Sequence, residues 1–293
     1  MIKQQPVKCA DLIYDVGLHM GEDTDFYLKK GFRVVAFEAD PDLVLKCKAR
    51  FAQQIQNGDL VIVEGAIMEA GEVMQTGQTV KFFRNRDLSV WGTTDSEWAS
   101  RNELFGTSSE IIEVPSVDFS SCLQLYGIPY YMKIDIEGMD LVCLKALLAF
   151  DEKPDYVSVE SEKVSFKKLQ EELDLFLTLG YEHFKAINQA EIISHKEPGN
   201  SKVGRFLDFK FQEGSSGLFG QDLPGEWKNK NQLLTRYRMI FLGYRLFGDY
   251  GILRNTRVGN HLLKIINKLS PTPVPGWYDT HARHHSVRAE KDK

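Results

Sequence analysis

The order of apolar runs between residues 11 and 162 is the strongest constraint on what this chain can fold into. Stretches rich in β-branched and aromatic residues alternate there with stretches of helical periodicity. DLIYDVG (11–17) reads as a strand and its exit. GEDTDFYLKKG (21–31) reads as a helix with acidic residues in its first turn and a glycine after its end. RVVAFEA (33–39) and LVIVEGAI (60–67) repeat the strand pattern around a helix at PDLVLKCKARFAQQI (41–55). These strands are near-continuous apolar runs, as expected where helices cover both faces of a parallel sheet. Strand–helix alternation of this kind predicts an α/β, doubly wound sheet.

Beyond residue 70 the pattern is less regular. TVKFF (79–83) and EIIEVPSV (110–117) read as extra strands around a polar loop. YYMKIDIEG (130–138) and DYVSVESE (155–162) read as buried strands, each followed by a helix. HFKAINQAEI (183–192) and RFLDFKFQ (205–212) are expected to close the sheet as a hairpin. The Gly-, Ser- and Pro-rich run 213–227 is a loop. A helix is expected over 231–251, a shorter one over 256–269, and an irregular tail over 271–285. The expected division is a main domain at 1–225 and a basic helical C-terminal extension at 226–293.

Charge supports that division. The whole chain has a net charge of −5, yet residues 226–293 hold 13 Lys+Arg against 5 Asp+Glu. An acidic body argues against a dedicated nucleic-acid binder. The helix at 231–247 carries Leu233, Tyr237, Ile240, Phe241, Tyr244 and Phe247 on one face, with its arginines mostly elsewhere. It can cover the sheet, form a homo-oligomer face or rest on a membrane surface. No uncharged apolar run approaches the roughly 20 residues a membrane span requires. The N-terminal residues carry no apolar signal core, so a soluble cytoplasmic protein is expected. The four cysteines form no C-x-x-C pair and read as reduced thiols. His281, His284 and His285 read as part of a polar tail, flexible or folded over the active site through Trp277 and Tyr278, rather than as a metal site.

Three segments carry chemistry. In Asp15-Val-Gly-Leu-His-Met-Gly21 a strand turns into a helix, and Gly17 leaves room for a ligand at the strand end. A dinucleotide fingerprint would put glycines where the chain has His19 and Glu22. The acidic first turn (Glu22, Asp23, Asp25) would repel a pyrophosphate, so a zwitterionic or cationic ligand fits better. Glu38 ends the second strand, where a carboxylate can accept both hydroxyls of a ribose. Lys133-Ile-Asp135-Ile-Glu137-Gly138 closes an apolar strand with two carboxylates that share one face. Ligands of open α/β sheets bind outside such strand ends.

Together Y-D-V-G-x-x-x-G, V-V-A-F-E-A-D-P and K-I-D-I-E-G-M-D-L resemble the FkbM family of S-adenosylmethionine-dependent methyltransferases, over roughly residues 11–162. The resemblance implies a Rossmann-like seven-stranded methyltransferase sheet and methylation of hydroxyls on sugars or macrolide-type natural products. It implies that Asp15, Gly17 and Gly21 line the methionine end of the cofactor, that Glu38 binds the ribose, and that Gly65 and Ala66 lie near the adenine. Asp135 would face both cofactor and acceptor. The family often has Asn two residues after the first glycine, and this chain has His19.

An alkyl hydroxyl needs a base to take its proton as the new bond forms. Asp135 or Glu137 is the first expectation and His19 the next. A divalent ion on the carboxylates would instead lower the hydroxyl pKa. Ser89, Trp91, Thr94 and Trp98 offer hydroxyls and aromatic faces to a small-molecule or glycan acceptor. An NAD-type oxidoreductase, the competing enzyme class, would need a full G-x-G-x-x-G and a catalytic Tyr-x-x-x-Lys. A non-catalytic S-adenosylmethionine-binding module would usually have lost the acids at 15, 38 and 135.

Overall fold

The structure is a computed structural model, and it describes residues 5–69, 79–136, 138–162, 165–248, 251–254, 256–269 and 277–287. Seven strands form one sheet: β1 (Lys8–Val16), β2 (Arg33–Glu38), β3 (Leu60–Glu64), β7 (Ile128–Ile134), β8 (Tyr156–Glu160), β9 (Tyr181–Asn188) and β10 (Tyr278–His284). Their order is β3-β2-β1-β7-β8-β10-β9. The first five run parallel, and β10 is antiparallel to both of its neighbours. A second sheet, in the order β4-β6-β5, comprises β4 (Ala66–Met68), β5 (Thr79–Asn85) and β6 (Ser109–Asp118).

Side-chain alternation along the central strands feeds two cores. Tyr14, Val16, Met132, Ile134, Val157 and Val159 face one side. Ile13, Val34, Ala36, Tyr131 and Tyr156 face the other. The first core is sealed by α5 (Phe119–Tyr126), α6 (Asp140–Ala146), α7 (Phe166–Thr178) and α8 (Lys230–Phe247). The second is sealed by α1 (Glu22–Lys29) and by the loop carrying Phe211, Leu218 and Phe219. Burial on both faces explains why the strands read as unbroken apolar runs. The expected doubly wound, Rossmann-like sheet is therefore present.

Two expectations for the C-terminal part are corrected. Residues 205–212 form no strand. Instead Phe209 and Phe211 pack on Phe26 of α1, each with ring centroids 4.9 Å from it. The partner of β9 is β10, drawn from the stretch expected to be an irregular tail and from residues assigned to the C-terminal extension. It is polar, YDTHARH, yet buried. Its Thr280 hydroxyl bonds Tyr237 (2.7 Å) and Ser161 (2.9 Å), so the polar strand is accommodated. His281 is buried in the sheet, and burial pushes its imidazole down to about 3. The basic helix α8 lays Leu233, Leu234 and Tyr237 into the core, with Ile240 and Phe241 packed against it. No described helix is long and apolar enough to cross a membrane. All four cysteines are free, with Cys47 and Cys143 buried.

Candidate functional site

Local sequence shapes the first wall of the cleft at the carboxyl ends of the parallel strands. β1 and β7 converge so closely that a Cβ on Gly17 would lie 2.0 Å from the Asp135 carbonyl oxygen, and Gly17 has a φ of +95°. Only glycine fits such a position without strain. His19 follows in the left-handed region, φ 50°. Its backbone N–H donates to Glu38 Oε2 at 2.8 Å.

Glu38 is held by the sequence that follows it. Asp40 caps α2 (Pro41–Arg50) by accepting from the Asp42 N–H, and Pro41 takes the first helical position. The strand therefore ends abruptly, and the Asp40 N–H donates to Glu38 Oε1 at 2.8 Å. Burial pushes the Glu38 carboxyl up to about 7, against the two backbone donors, which pull it down. A carboxylate fixed by two N–H groups at a cleft wall retains lone pairs for a ligand's hydroxyls.

The cleft measures about 1470 Å³. Gly17, His19, Glu38, Gly65, Ala66 and Asp135 all line it, so these residues expected from the sequence converge. Gly65, φ +130°, sits where a Cβ would meet the Pro115 carbonyl at 2.4 Å. Ala66, Ile67 and Phe82 line the cleft beside it with apolar side chains. Asp15 and Gly21 do not line the cleft. Asp15 is fully buried beneath it, and a Cβ on Gly21 would run into the Phe51 ring. Glu137 lies outside the described residues.

A largely buried ion network forms part of the cleft lining. Lys133 Nζ donates to the Gly17 carbonyl at 2.9 Å. It stands 3.4 Å from Asp15, 3.7 Å from Asp23 and 3.9 Å from Asp135. Asp15 also accepts from the Thr24 hydroxyl (2.6 Å), and Asp23 accepts from the Ser216 N–H (2.8 Å). Burial raises the carboxyls of Asp15 and Asp23, the latter to about 6, while Lys133 pulls both down. Burial also disfavours the charged lysine, yet the Asp15, Asp135 and Asp23 carboxylates outweigh it and keep Lys133 protonated. Asp23, Lys133 and Asp135 all line the cleft, and Asp135, with a half-exposed side chain, is the most exposed of them. The lysine thus ties the glycine turn of β1 to the acid at the end of β7. Lys133 stands in the quoted motif, but its role was not legible because its partners are far away in sequence.

His19 occupies a second constellation. Its Nδ1 lies 3.4 Å from Glu22 Oε2, and its Nε2 lies 2.9 Å from Ser89 Oγ. Burial pushes the Glu22 carboxyl up, but the hydrogen bond with His19 and the Glu22 backbone hold it below the usual range. A carboxylate behind one imidazole nitrogen orients the other toward the cleft. From the loop expected to meet the acceptor, Ser89, Trp91, Thr93 and Thr94 line the cleft. Trp98 instead packs against Gly138, with Arg101 over its ring at 4.6 Å.

Sequence reasoning missed the cleft role of α8, whose Arg238, Phe241, Tyr244 and Arg245 line the cleft. Trp277, expected over the active site, lines it too. At the end of β8, Glu160 lines the cleft, whereas Glu162 accepts from the Ser165 N–H (3.0 Å) at the start of α7. Among the described residues no group of three or more His, Cys, Asp or Glu side chains is arranged to hold a metal ion. A Tyr-x-x-x-Lys spacing does occur at Tyr181 and Lys185, but both belong to β9 and neither lines the cleft. Tyr181 donates to the Pro154 carbonyl at 2.9 Å, and Lys185 to the Leu223 carbonyl at 2.7 Å.

The residues present fit S-adenosylmethionine. Glu38 suits its ribose, the apolar lining beside Gly65 its adenine, and the acidic floor at Asp135 its positively charged methionine end. Among solved structures the chain is similar to a precorrin-6y C5,15-methyltransferase from Geobacter metallireducens GS-15. That likeness has 12% identity, covers 69% of this chain and 76% of that one, and has a TM-score of 0.31. It is also similar to a SAM-dependent methyltransferase from Archaeoglobus fulgidus, at 9% identity over 94% and 86% of the two chains and a TM-score of 0.35. No curated protein matches the chain. A model of the methyltransferase FkbM domain matches residues 15–185, a span that holds the glycine turn, Glu38 and Asp135 alike, and the chain belongs to that methyltransferase family.

Proposed function

We propose that the protein transfers the methyl group of S-adenosylmethionine to a hydroxyl of a sugar, glycan or natural-product acceptor. The observation that carries this reading is the convergence of His19, Glu38 and Asp135 on one cleft. At about 1470 Å³ the cleft exceeds the roughly 300–1,000 Å³ usual for one small ligand, which leaves room for an acceptor beside the cofactor. The serine, threonines and tryptophan of residues 89–94 suit a hydroxylated acceptor.

When bound, S-adenosylmethionine supplies a methyl group activated by a positively charged sulfur. Glu38 binds the ribose hydroxyls, and Gly17 keeps the turn clear of side-chain atoms. The protein's main task is to align the acceptor oxygen. His19 Nε2, oriented by Glu22 and bonded to Ser89 Oγ at the cleft, takes the hydroxyl proton as the new bond forms. Asp135, on the cleft floor, faces the positively charged end of the cofactor and the acceptor.

The test is S-adenosylhomocysteine formation with a panel of hydroxylated sugars, glycans and glycolipids. Asp135→Asn should abolish turnover, and His19→Ala should lower it by about 10²–10⁴-fold if it is the general base. Turnover near that of the parent in either variant would remove that residue from the mechanism. Absence of product with every acceptor class would sink the hydroxyl assignment.

A further inference from the structure

Helix α9 (Arg257–Leu269) is an amphipathic helix that the fold barely uses. Val258, Leu262 and Ile265 share one face and are 65%, 40% and 44% exposed. The opposite face carries Arg257, Lys264 and Lys268. Residues 251–269 hold four basic side chains and no acidic one. The helix is fixed rather than loose: the Thr256 hydroxyl accepts from the Gly259 N–H (2.9 Å), and the preceding turn is tied to α8 by Ile252 N–H to Arg245 C=O (3.0 Å). Further apolar groups stand on α8 and this turn: Met239 and Ile252 are each 67% exposed, and Leu242 is 47% exposed. Leu242 and Ile252 also line the cleft.

Exposed apolar surface of this extent on a fixed helix marks an interaction face. We propose that α9 docks the protein on an anionic membrane surface, its apolar face entering the headgroup region and its basic residues meeting lipid phosphates. Charge selects this occupant. A helix with a strongly basic polar face and an aliphatic opposite face is the pattern of interfacial binding. A second copy would bring two all-basic helices together, and like charges oppose that contact. Because Ile252 belongs to both the turn before α9 and the cleft, docking brings the cleft mouth to the bilayer. On the hydroxyl-methyltransferase reading, that favours an acceptor whose hydroxylated head is carried on a lipid.

The experiment is co-sedimentation of the whole protein with phosphatidylcholine vesicles, with and without phosphatidylglycerol. No cofactor is added, so the outcome is independent of methyl transfer. Binding should require the anionic lipid and weaken with salt. Each basic residue near an anionic surface strengthens binding roughly fivefold, so Lys264→Glu with Lys268→Glu should weaken it about 25-fold or more. Leu262→Asp with Ile265→Asp should abolish it, and Leu104→Asp, 82% exposed on α4 (Ser96–Leu104), should leave it unchanged. No binding to anionic vesicles, or equal binding by the Leu262/Ile265 variant, would overturn the proposal. So would a concentration-dependent dimer that the same variant dissolves, which would assign the face to a second copy.

Discussion

Removing the Lys133 ammonium tests the buried network more sharply than any other change. In Lys133→Met the aliphatic stem is largely preserved while Asp15 and Asp23, 0% and 3% exposed, lose their counter-ion. Breaking a buried ion pair from one side costs about 3–5 kcal/mol, and here two acids are stranded. Against a total stability of about 5–15 kcal/mol the loss is large. With a urea slope of about 3 kcal/mol/M it moves the unfolding midpoint by roughly 1–2 M. The loss depends on pH in a defined direction. Asp23 is already raised to about 6 in the folded protein, above the roughly 3.9 of an unfolded Asp, and removal of Lys133 raises it further. A group raised on folding keeps its contribution below the unfolded value and loses it as pH rises through the folded value. The variant should therefore be close to the parent near pH 4 and fall behind it steadily above pH 6. Urea unfolding at several pH values, followed by circular dichroism, reads this directly. Adding Asp23→Asn to the variant should recover part of the loss at pH 8. A loss under about 1 kcal/mol, or one equal at pH 5 and pH 8, would refute the network as described.

Other outcomes follow from the same geometry. Glu38→Ala should weaken S-adenosylmethionine binding about 10–100-fold, from loss of charged hydrogen bonds worth about 1.5–3 kcal/mol; unchanged affinity by calorimetry would remove Glu38 from the site. Burial holds the Glu38 carboxyl up to about 7, and ribose hydroxyls donate best to the ionised form, so affinity should rise as pH increases from 6 to 8; a flat profile would show that Glu38 does not titrate there. Gly17→Ala combines a left-handed backbone, costing about 1–2 kcal/mol, with a Cβ placed 2.0 Å from the Asp135 carbonyl, costing about 1–3 kcal/mol more. Its melting temperature should fall by about 5–15 °C, and a parent-like melt would mean that the two strand ends move apart freely.

Much of the architecture was written locally. The apolar runs marked five parallel strands because both sheet faces are covered. The E-A-D-P segment marked the abrupt strand-to-helix turn that fixes Glu38, since an N-cap Asp and a Pro at the first helical position act within three residues. Gly17 was legible for the same reason. What failed depended on distant partners. The hairpin expected from 183–192 and 205–212 had the right β-like composition, but residues 205–212 bury their aromatics on α1 instead. The true neighbour of β9 carries Asp, Thr, His and Arg, which no hydropathy pattern marks as a buried strand.

The sequence by itself determined the five parallel strands, the sharp turns at Gly17 and Glu38, and the family motifs, because these arise from contacts within a few residues. Only the tertiary structure decided that Asp15 lies beneath the cleft, bound to Lys133 118 residues away, and that Glu22, His19 and Ser89 align. It also decided that α8 forms a cleft wall while α9 stays exposed, and that Tyr278–His284 enters the sheet between β8 and β9. Those outcomes rest on packing between segments far apart in the chain, where burial and charge pairing are set by neighbours that a local pattern cannot name.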